Sequence, residues 1–154
     1  IQFFIAFLIA SIVRGLFVGL AIYVLASFYI DLPIMYPGFV FSFALLGGGL
    51  LGTFGILAGI WADRFDQMAA FQNFVIMPLS FLSGVFYSIH SLPPFWQKIS
   101  HFNPFFYMID GFRYGFFGQS DISPHLSVVI VLTFFIILAG LSIRLLKTGY
   151  KLRG

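Results

Sequence analysis

The run LPIMYPGFVFSFALLGGGLLGTFGILAGIWA at residues 32–62 decides the fold class, because its 31 residues carry no charge. About 20 apolar residues in a helix, each rising about 1.5 Å, cross a hydrocarbon core of about 30 Å. Residues 67–97 and 122–143 also lack charge, and residues 1–30 carry only Arg14. Lipid requires internally bonded backbone, and these runs lack the alternation of barrel strands. The sequence therefore predicts an all-α, polytopic membrane bundle with four transmembrane helices, at about 11–31, 38–62, 70–89 and 124–146.

Composition excludes the soluble classes of function. Of the 154 residues, 60% are hydrophobic and 8% are charged, and the five acidic residues are all Asp. A soluble domain averages about 25% charged residues, so most of this surface must face lipid. A soluble enzyme and a free nucleic-acid binder are thereby excluded, and we expect membrane lipid but no nucleic acid among the partners. The absence of Cys removes thiolate metal sites and thiol catalysis.

The positions of Lys and Arg predict the orientation. Four spans place both ends of the bundle on one side, and that side receives five basic residues against two, Lys98 and Arg113, on the other. Cytoplasmic loops carry the excess of Lys and Arg. We therefore expect a multi-pass protein of the inner (plasma) membrane with a cytoplasmic C-terminus. The five are Arg64, Arg144, Lys147, Lys151 and Arg153.

The start of the chain predicts that a segment precedes it. Ile1 lies inside an apolar run that has neither the charged start nor the cleavage site of a signal peptide. We expect residues 1–154 to form one transmembrane domain that lacks its N-terminal part.

Residues 92–118 are too apolar for a hydrated loop and too interrupted by Pro and Gly for a fifth span. We expect a re-entrant hairpin of two short helices, at about 93–102 and 104–116, that enters the outer leaflet partway. Asn103 before Pro104 is typical of a helix N-cap followed by Pro at the first helical position. The aromatic residues are expected at the headgroup level: Phe95, Trp96, Phe102, Phe105, Phe106, Tyr107, Phe112, Tyr114, Phe116 and Phe117.

Few residues could carry chemistry. Asp110 and Arg113, three residues apart on the second short helix, can form a pair that holds the hairpin or helps to pass substrate. Arg14 is expected within one turn of the cytoplasmic headgroups, as a topology anchor or as a docking residue for a cytoplasmic partner. Gly52 belongs to a glycine-rich span that favours close helix packing and could also bend in a gate. Pro78 should kink the third span.

Enzyme signals are missing. The sequence has no phosphate-cradling loop, no paired metal-ligand histidines and no recognisable catalytic triad, so we expect no catalytic, metal-binding or cofactor-binding residues. An ion-coupled carrier would need isolated carboxylates along its spans, and none occurs there.

The stretch FLSGVFYSIHSLPPFWQKISHFNPFFYMIDGFRYGFFGQSD at residues 81–121 resembles the signature of the type-2 ABC transporter permeases, close to their drug-export and YadH-like branch. Upstream, Arg14-Gly15-Leu16 followed by Gly19 is similar to the start of the family's third span, so the resemblance covers nearly the whole chain. The matching elements occur in fixed order: Phe81-Leu82-Ser83-Gly84, Phe86-Tyr87, Leu92-Pro93, Asn103-Pro104, Tyr107, Asp110, Arg113 and Gly118.

The resemblance implies the last four spans of a six-span permease, with most of the coupling helix upstream of Ile1. It also implies a dimer of two permeases, an ATP-binding cassette subunit that holds ATP and Mg²⁺, and export along the interface between the permeases. The hairpin at 92–118 would be the family's extracellular re-entrant helices.

Two other functions remain open from the sequence. A membrane scaffold or assembly protein would need no ATPase partner, and an ion-coupled carrier would work without ATP. The substrate, whether drug, lipid or glycan, is not readable from these residues.

Overall fold

The computed structural model describes residues 1–149, and the regular structure of that part of the chain is helical. A π-helical segment, Gln72–Ile76, and a 3-10 turn, Ile89–Ser91, accompany seven α-helices. The all-α prediction is therefore confirmed for residues 1–149. Lys151 and Arg153, used above for the orientation, lie outside the described residues. In chain order the α-helices are α1 (Gln2–Ser27), α2 (Pro37–Trp61), α3 (Phe65–Phe71), α4 (Met77–Phe81), α5 (Pro94–His101), α6 (Pro104–Phe117) and α7 (Pro124–Thr148).

Three helices of residues 1–149, namely α1, α2 and α7, are long and apolar enough to cross a membrane. The bounds of α2 and α7 lie within two residues of those predicted. The region of the remaining predicted span is divided among α3, the π-helical segment and α4.

Two predicted spans have different bounds in the structure. α1 begins at Gln2 rather than residue 11, because nothing interrupts a helix in the apolar start of the chain. It ends at Ser27 rather than residue 31, and a turn follows at Phe28 and Tyr29. The third helical region ends at Phe81 rather than residue 89, and the backbone soon needs a left-handed conformation at Gly84, with φ of 80°.

The core lies where α2, α6 and α7 meet. Small residues bring these helices together, because a Cβ added at Gly49 would lie 3.1 Å from the ring of Phe135 on α7. Room for a ring against a glycine lets the helices pack closely in lipid, where apolar burial alone gives no driving force. The buried core residues are Phe43, Leu50, Ile89, Phe106, Tyr107 and Val131.

Helix α6 of the hairpin packs along α2, from Val40 near its start to Phe54 past its middle. A Cβ at Gly115 would lie 2.8 Å from the backbone nitrogen of Val40, near the start of α2. Towards the start of α6, the ring of Phe105 stacks on that of Phe54 at 5.7 Å. α6 therefore runs antiparallel to α2, and the joint between α5 and α6 lies beside the middle of α2 rather than at its end.

The aromatic residues of the hairpin form two groups. Phe95, Trp96 and Phe102 are exposed, with relative accessibilities of 66%, 44% and 81%. The expectation that all of the aromatic residues lie at the headgroup level is wrong for Phe105, Phe106 and Tyr107, which are buried. The reason is tertiary: α6 packs between α2 and α7, so its first turn faces the core.

Candidate functional site

Asn103 joins three helices at the inner end of the hairpin. Its side-chain oxygen accepts a hydrogen bond from the backbone N–H of Phe105 at 3.0 Å, and Pro104 is the first residue of α6. The predicted N-cap is therefore present. The side-chain amide also donates to the carbonyl of Leu79 at 2.6 Å, near the end of α4. Since the last carbonyls of a helix lack partners within it, Asn103 caps one helix and starts another.

Asp110 fastens α6 to the segment that leads into α7. Its carboxylate is fully buried and accepts hydrogen bonds from the backbone N–H groups of Asp121, at 2.8 Å, and Ile122, at 3.1 Å. Nη2 of Arg113 lies 3.4 Å from the same carboxylate, so the predicted proximity of the pair is present. The distance from Arg113 to Asp110 is longer than either hydrogen bond from the backbone N–H groups, and the Arg113 side chain is 30% exposed. The backbone amides are therefore the stronger partners of this carboxylate.

Burial raises the pKa of the Asp110 carboxyl above its ordinary value. The two backbone N–H groups and the positive charge of Arg113 act in the opposite direction, because they stabilise the ionised form. The negative charge of Asp121 adds to the upward shift of this pKa. The carboxyl is thus a buried acid whose charge is only partly compensated by its surroundings.

Asp121 is a site residue that the sequence analysis missed. Its carboxylate accepts hydrogen bonds from the hydroxyl of Ser88 at 3.0 and 3.1 Å and from the backbone N–H of Ile89 at 3.3 Å. Nη2 of Arg113 is 3.8 Å away and Nε2 of His90 is 4.0 Å away. One signal could have found it: a single acid three residues after the Gly118 cap of an apolar helix.

We call Ser88, Asp110, Arg113 and Asp121 the hairpin cluster. It ties the turn before α5 to α6 and to the segment that leads into α7, and Ser88 and Asp121 are 33 residues apart in the sequence. A cleft of about 570 Å³ opens beside it. Within residues 1–149 no three His, Cys, Asp or Glu side chains come together as metal ligands. The cleft is lined by Ser88, Arg113, Gly118, Gln119, Ser120 and Asp121.

Gly52 lies at the contact of α1 with α2. A Cβ added there would lie 2.9 Å from Cβ of Ser11, and one at Gly48 would lie 3.2 Å from Cα of Ile12. Real Cβ atoms essentially never approach as closely as the first distance. The glycine at position 52 therefore permits the spacing of these two helices.

Pro78 lies in the first turn of α4, directly after the π-helical segment. The backbone N–H of Met77 bonds to the carbonyl of Gln72, five residues back, rather than four. A π-helical turn next to a proline accommodates the lost hydrogen bond by widening the helix. Pro78 thus follows a π-helical turn, and the kink predicted at this proline stays a prediction.

Arg14 lies apart from these residues. It is exposed near the middle of α1, in its fourth turn, because the helix begins nine residues earlier than expected. The structure therefore brings together Asp110 and Arg113, joins Asn103 and Pro104 to the same hairpin, and leaves Arg14, Gly52 and Pro78 elsewhere in the bundle.

The long apolar helices and the buried hairpin define a multi-pass helical membrane protein. The ABC-2 type transporter family matches residues 1–117, and the chain belongs to that family. It is 42% identical over 127 residues to the inner membrane transport permease YadH of Escherichia coli (strain K12), covering 82% of this chain and 49% of that protein. It is 32% identical over 112 residues to nodulation protein J of Neorhizobium galegae, covering 70% of this chain and 43% of that protein.

The chain spans about half the length of these curated relatives. No solved structure matches it.

Proposed function

We propose that this chain is the membrane-embedded part of an ABC exporter permease, which forms the substrate path together with a second permease. The observation that carries the proposal is the family match over residues 1–117, which includes the bundle of α1 and α2 and the whole hairpin. The Escherichia coli relative is named as an inner membrane transport permease, which supports the same location for this chain.

We propose four membrane passes, with the third formed by α3, the π-helical segment and α4. These 17 residues would extend about 25 Å as a helix, slightly less than a hydrocarbon core of about 30 Å. Asn103 at the inner end of the hairpin bonds to Leu79 near the end of α4, so this helical region ends at the depth that the hairpin reaches, and the chain after Phe81 would complete the pass beside the hairpin. A re-entrant hairpin buried in protein allows irregular backbone at membrane depth.

The proposed orientation places the hairpin outside and both chain ends in the cytoplasm. Arg64, between α2 and α3, and Lys147, in the last turn of α7, then lie on the cytoplasmic side, while Lys98 of α5 lies outside. This distribution follows the excess of positive charge in cytoplasmic connections.

The proposed energy source is ATP hydrolysis on a separate ATP-binding cassette subunit. The sequence contains no glycine-rich phosphate loop, which nucleotide-hydrolysing subunits use to hold the phosphates. Membership of an ABC transporter family supports such a partner. We therefore expect no ATP or Mg²⁺ bound by this chain itself.

The mechanism follows from where the helices are tied together. The hairpin cluster and Asn103 hold α6, the start of α7 and the end of α4 as one unit. α1 packs on α2 through glycine contacts, and such contacts contain no polar bonds to break when helices slide. We propose that closure of the ATPase subunits moves the helices as units and opens a path beneath the hairpin towards the outside.

The test is purification of the full-length protein with its candidate ATP-binding subunit and measurement of ATP hydrolysis and transport in proteoliposomes. We expect a stable complex with ATP-dependent transport out of the compartment that corresponds to the cytoplasm. Transport driven by an ion gradient without ATP would identify a carrier instead. A protein that assembles with other membrane proteins but transports nothing, with ATP or with an ion gradient, would be a scaffold. Either of these two results would overturn the proposal.

A further inference from the structure

One face of α5 is exposed and carries two basic side chains between aromatic rings. Ser100 of this helix is fully buried, and at 3.6 residues per turn the opposite side holds positions 95, 98, 101 and 102. All four residues are exposed, Phe95 at 66% and Phe102, the C-cap of α5, at 81%. We call this surface the Lys98 face; its members are Phe95, Lys98, His101 and Phe102.

The contacts of α6 with α2 give the depth of this face. Gly115 lies level with Val40, because a Cβ added at Gly115 would be 2.8 Å from the Val40 backbone nitrogen. The 12 residues from Asn103 to Gly115 rise about 18 Å along α2, and Val40 is already about 4.5 Å inside the start of α2. α2 is about 37 Å long, so the joint between α5 and α6 lies at about the middle of the membrane in the proposed topology.

Lys98 lies close to this joint whatever the tilt of α5. Only three residues separate it from His101, a rise of about 4.5 Å along the helix. His101 is held at the joint, because its backbone carbonyl accepts a hydrogen bond at 2.9 Å from the hydroxyl of Tyr107 in the first turn of α6. Half of a hydrocarbon core is about 15 Å, so Lys98 lies well below the outer headgroups.

Residues 1–149 give the Lys98 ammonium neither an ion pair nor a hydrogen bond. The ion pairs of this part of the chain belong to Arg113 and His90 instead. Its acids either belong to the hairpin cluster or lie at or beyond helix ends, so a second copy of residues 1–149 would bring no free carboxylate to this depth. The acids at or beyond helix ends are Asp31, Asp63 and Asp66.

Lipid tails do not fit the Lys98 face. The rings of Phe95 and Phe102 would suit hydrocarbon, but Lys98 lies between them and would enter the hydrocarbon with them. A charged side chain at membrane depth almost always faces a bundle interior or a water-filled cavity. Water that enters from the outside would solvate the ammonium here, which agrees with the place of α5 in the outer connection.

We propose that the Lys98 face lines the substrate path beneath the hairpin and binds the anionic group of an amphipathic substrate, a carboxylate, sulfate or phosphate attached to an apolar or aromatic body. The inference rests on the proposed function and its topology, and it adds a substrate class to them. Lys98 attracts the anion, the more strongly because the surroundings have a low dielectric constant. Phe95 and Phe102 contact the apolar body of the substrate.

His101 supplies a second polar group on the same face. Its Nδ1 lies 3.5 Å from the Tyr107 hydroxyl, whereas its Nε2 makes no hydrogen bond within residues 1–149. The imidazole is therefore held in place on one side, and its other nitrogen remains available to a ligand at Lys98.

Thiol labelling tests the water access and the charge of this face. The 154 residues contain no Cys, so Phe102→Cys introduces one reactive site into them. The full-length protein, without other Cys, is placed in vesicles of phosphatidylcholine, whose lipids carry no net charge. An anionic and a cationic methanethiosulfonate are then compared, each rate being normalised to that with free mercaptoethanol. The controls are Ile137→Cys, 61% exposed near the middle of α7, and Ser100→Cys on the buried side of α5.

We expect position 102 to react at least tenfold faster than either control, and several-fold faster with the anionic reagent than with the cationic one. Lys98→Gln should remove most of this preference, whereas Lys98→Arg should keep it. A reaction as slow as at position 137 would place the face against lipid and overturn the inference. Equal rates for the two reagents, or a preference that survives Lys98→Gln, would overturn the role of Lys98.

A competition experiment tests the substrate class. We expect 1-naphthalenesulfonate to slow the labelling at position 102 several-fold at concentrations at which its trimethylammonium counterpart has no effect, and we expect this protection to be lost in Lys98→Gln. Protection by both compounds, or by neither, would overturn the assignment of an amphipathic anion. None of these measurements requires ATP hydrolysis or transport, so their failure is distinguishable from failure of the proposed function.

Discussion

Replacement of Asp110 by Ala should destabilise the bundle more than replacement of Arg113 by Ala. Asp110→Ala removes the acceptor of two part-buried backbone N–H groups, those of Asp121 and Ile122. A fully buried donor left without a partner costs about 1–3 kcal/mol, so for two part-buried donors the loss should be about 2–4 kcal/mol. The cost falls on the joint between α6 and α7.

Arg113→Ala should cost about 1 kcal/mol or less, because its contact with Asp110 is long and its side chain is partly exposed. Asp110→Asn should lie between the two alanine variants, since the amide keeps one acceptor oxygen and removes the desolvated charge. Asp31→Asn is the matched control: that carboxylate is exposed, and its replacement should leave stability unchanged.

The assay is denaturant unfolding of the full-length protein in detergent, with transport measured for every variant that assembles. A difference of about 1.4 kcal/mol is tenfold in the folded-to-unfolded ratio, so the expected order is measurable. If Arg113→Ala costs as much as Asp110→Ala, the ion pair and not the backbone amides fastens the hairpin. If both variants assemble and export normally, the hairpin cluster is not a structural clamp at all.

Three further predictions follow from the packing and the hydrogen bonds. Gly52→Leu should lower the free energy of unfolding by about 1–3 kcal/mol, because the larger side chain forces α1 away from α2. Gly140→Leu is the control, since that glycine has open space around it and its replacement should leave the free energy of unfolding unchanged. Equal free energies of unfolding for the two variants would contradict the packing argument. Asn103→Ala should cost about 1–3 kcal/mol because it loses the cap and the bond to α4, and Asn103→Ser should recover part of this by keeping the cap. As the pH falls from about 7 to about 4, the wild type should gain stability relative to Asp110→Asn. The raised pKa of the Asp110 carboxyl means that its ionised form destabilises the folded state, and this destabilisation disappears when the carboxyl is protonated. A pH-independent difference between the two proteins would show that the pKa is not raised.

The hairpin shows how far local sequence could predict a site. Asn103-Pro104 marks the start of α6 in any tertiary context, because capping needs only the neighbouring backbone. The spacing of Asp110 and Arg113 likewise placed them on one side of a helix. The main partners of Asp110 could not be read in this way, since the amides of residues 121 and 122 reach it only after the chain turns at Gly118.

The amino-acid sequence by itself determined the helical class, the family and the approximate position of each long helix. Lipid leaves helix as the only structure for long apolar runs, so composition and length suffice for that prediction. Only the tertiary structure decided that Phe106 is core and Phe102 surface, and that Asp121 joins the hairpin cluster. It also decided the level of Arg14, because a uniformly apolar run has no internal mark of depth, and the glycine contacts of α1 with α2 supply that mark.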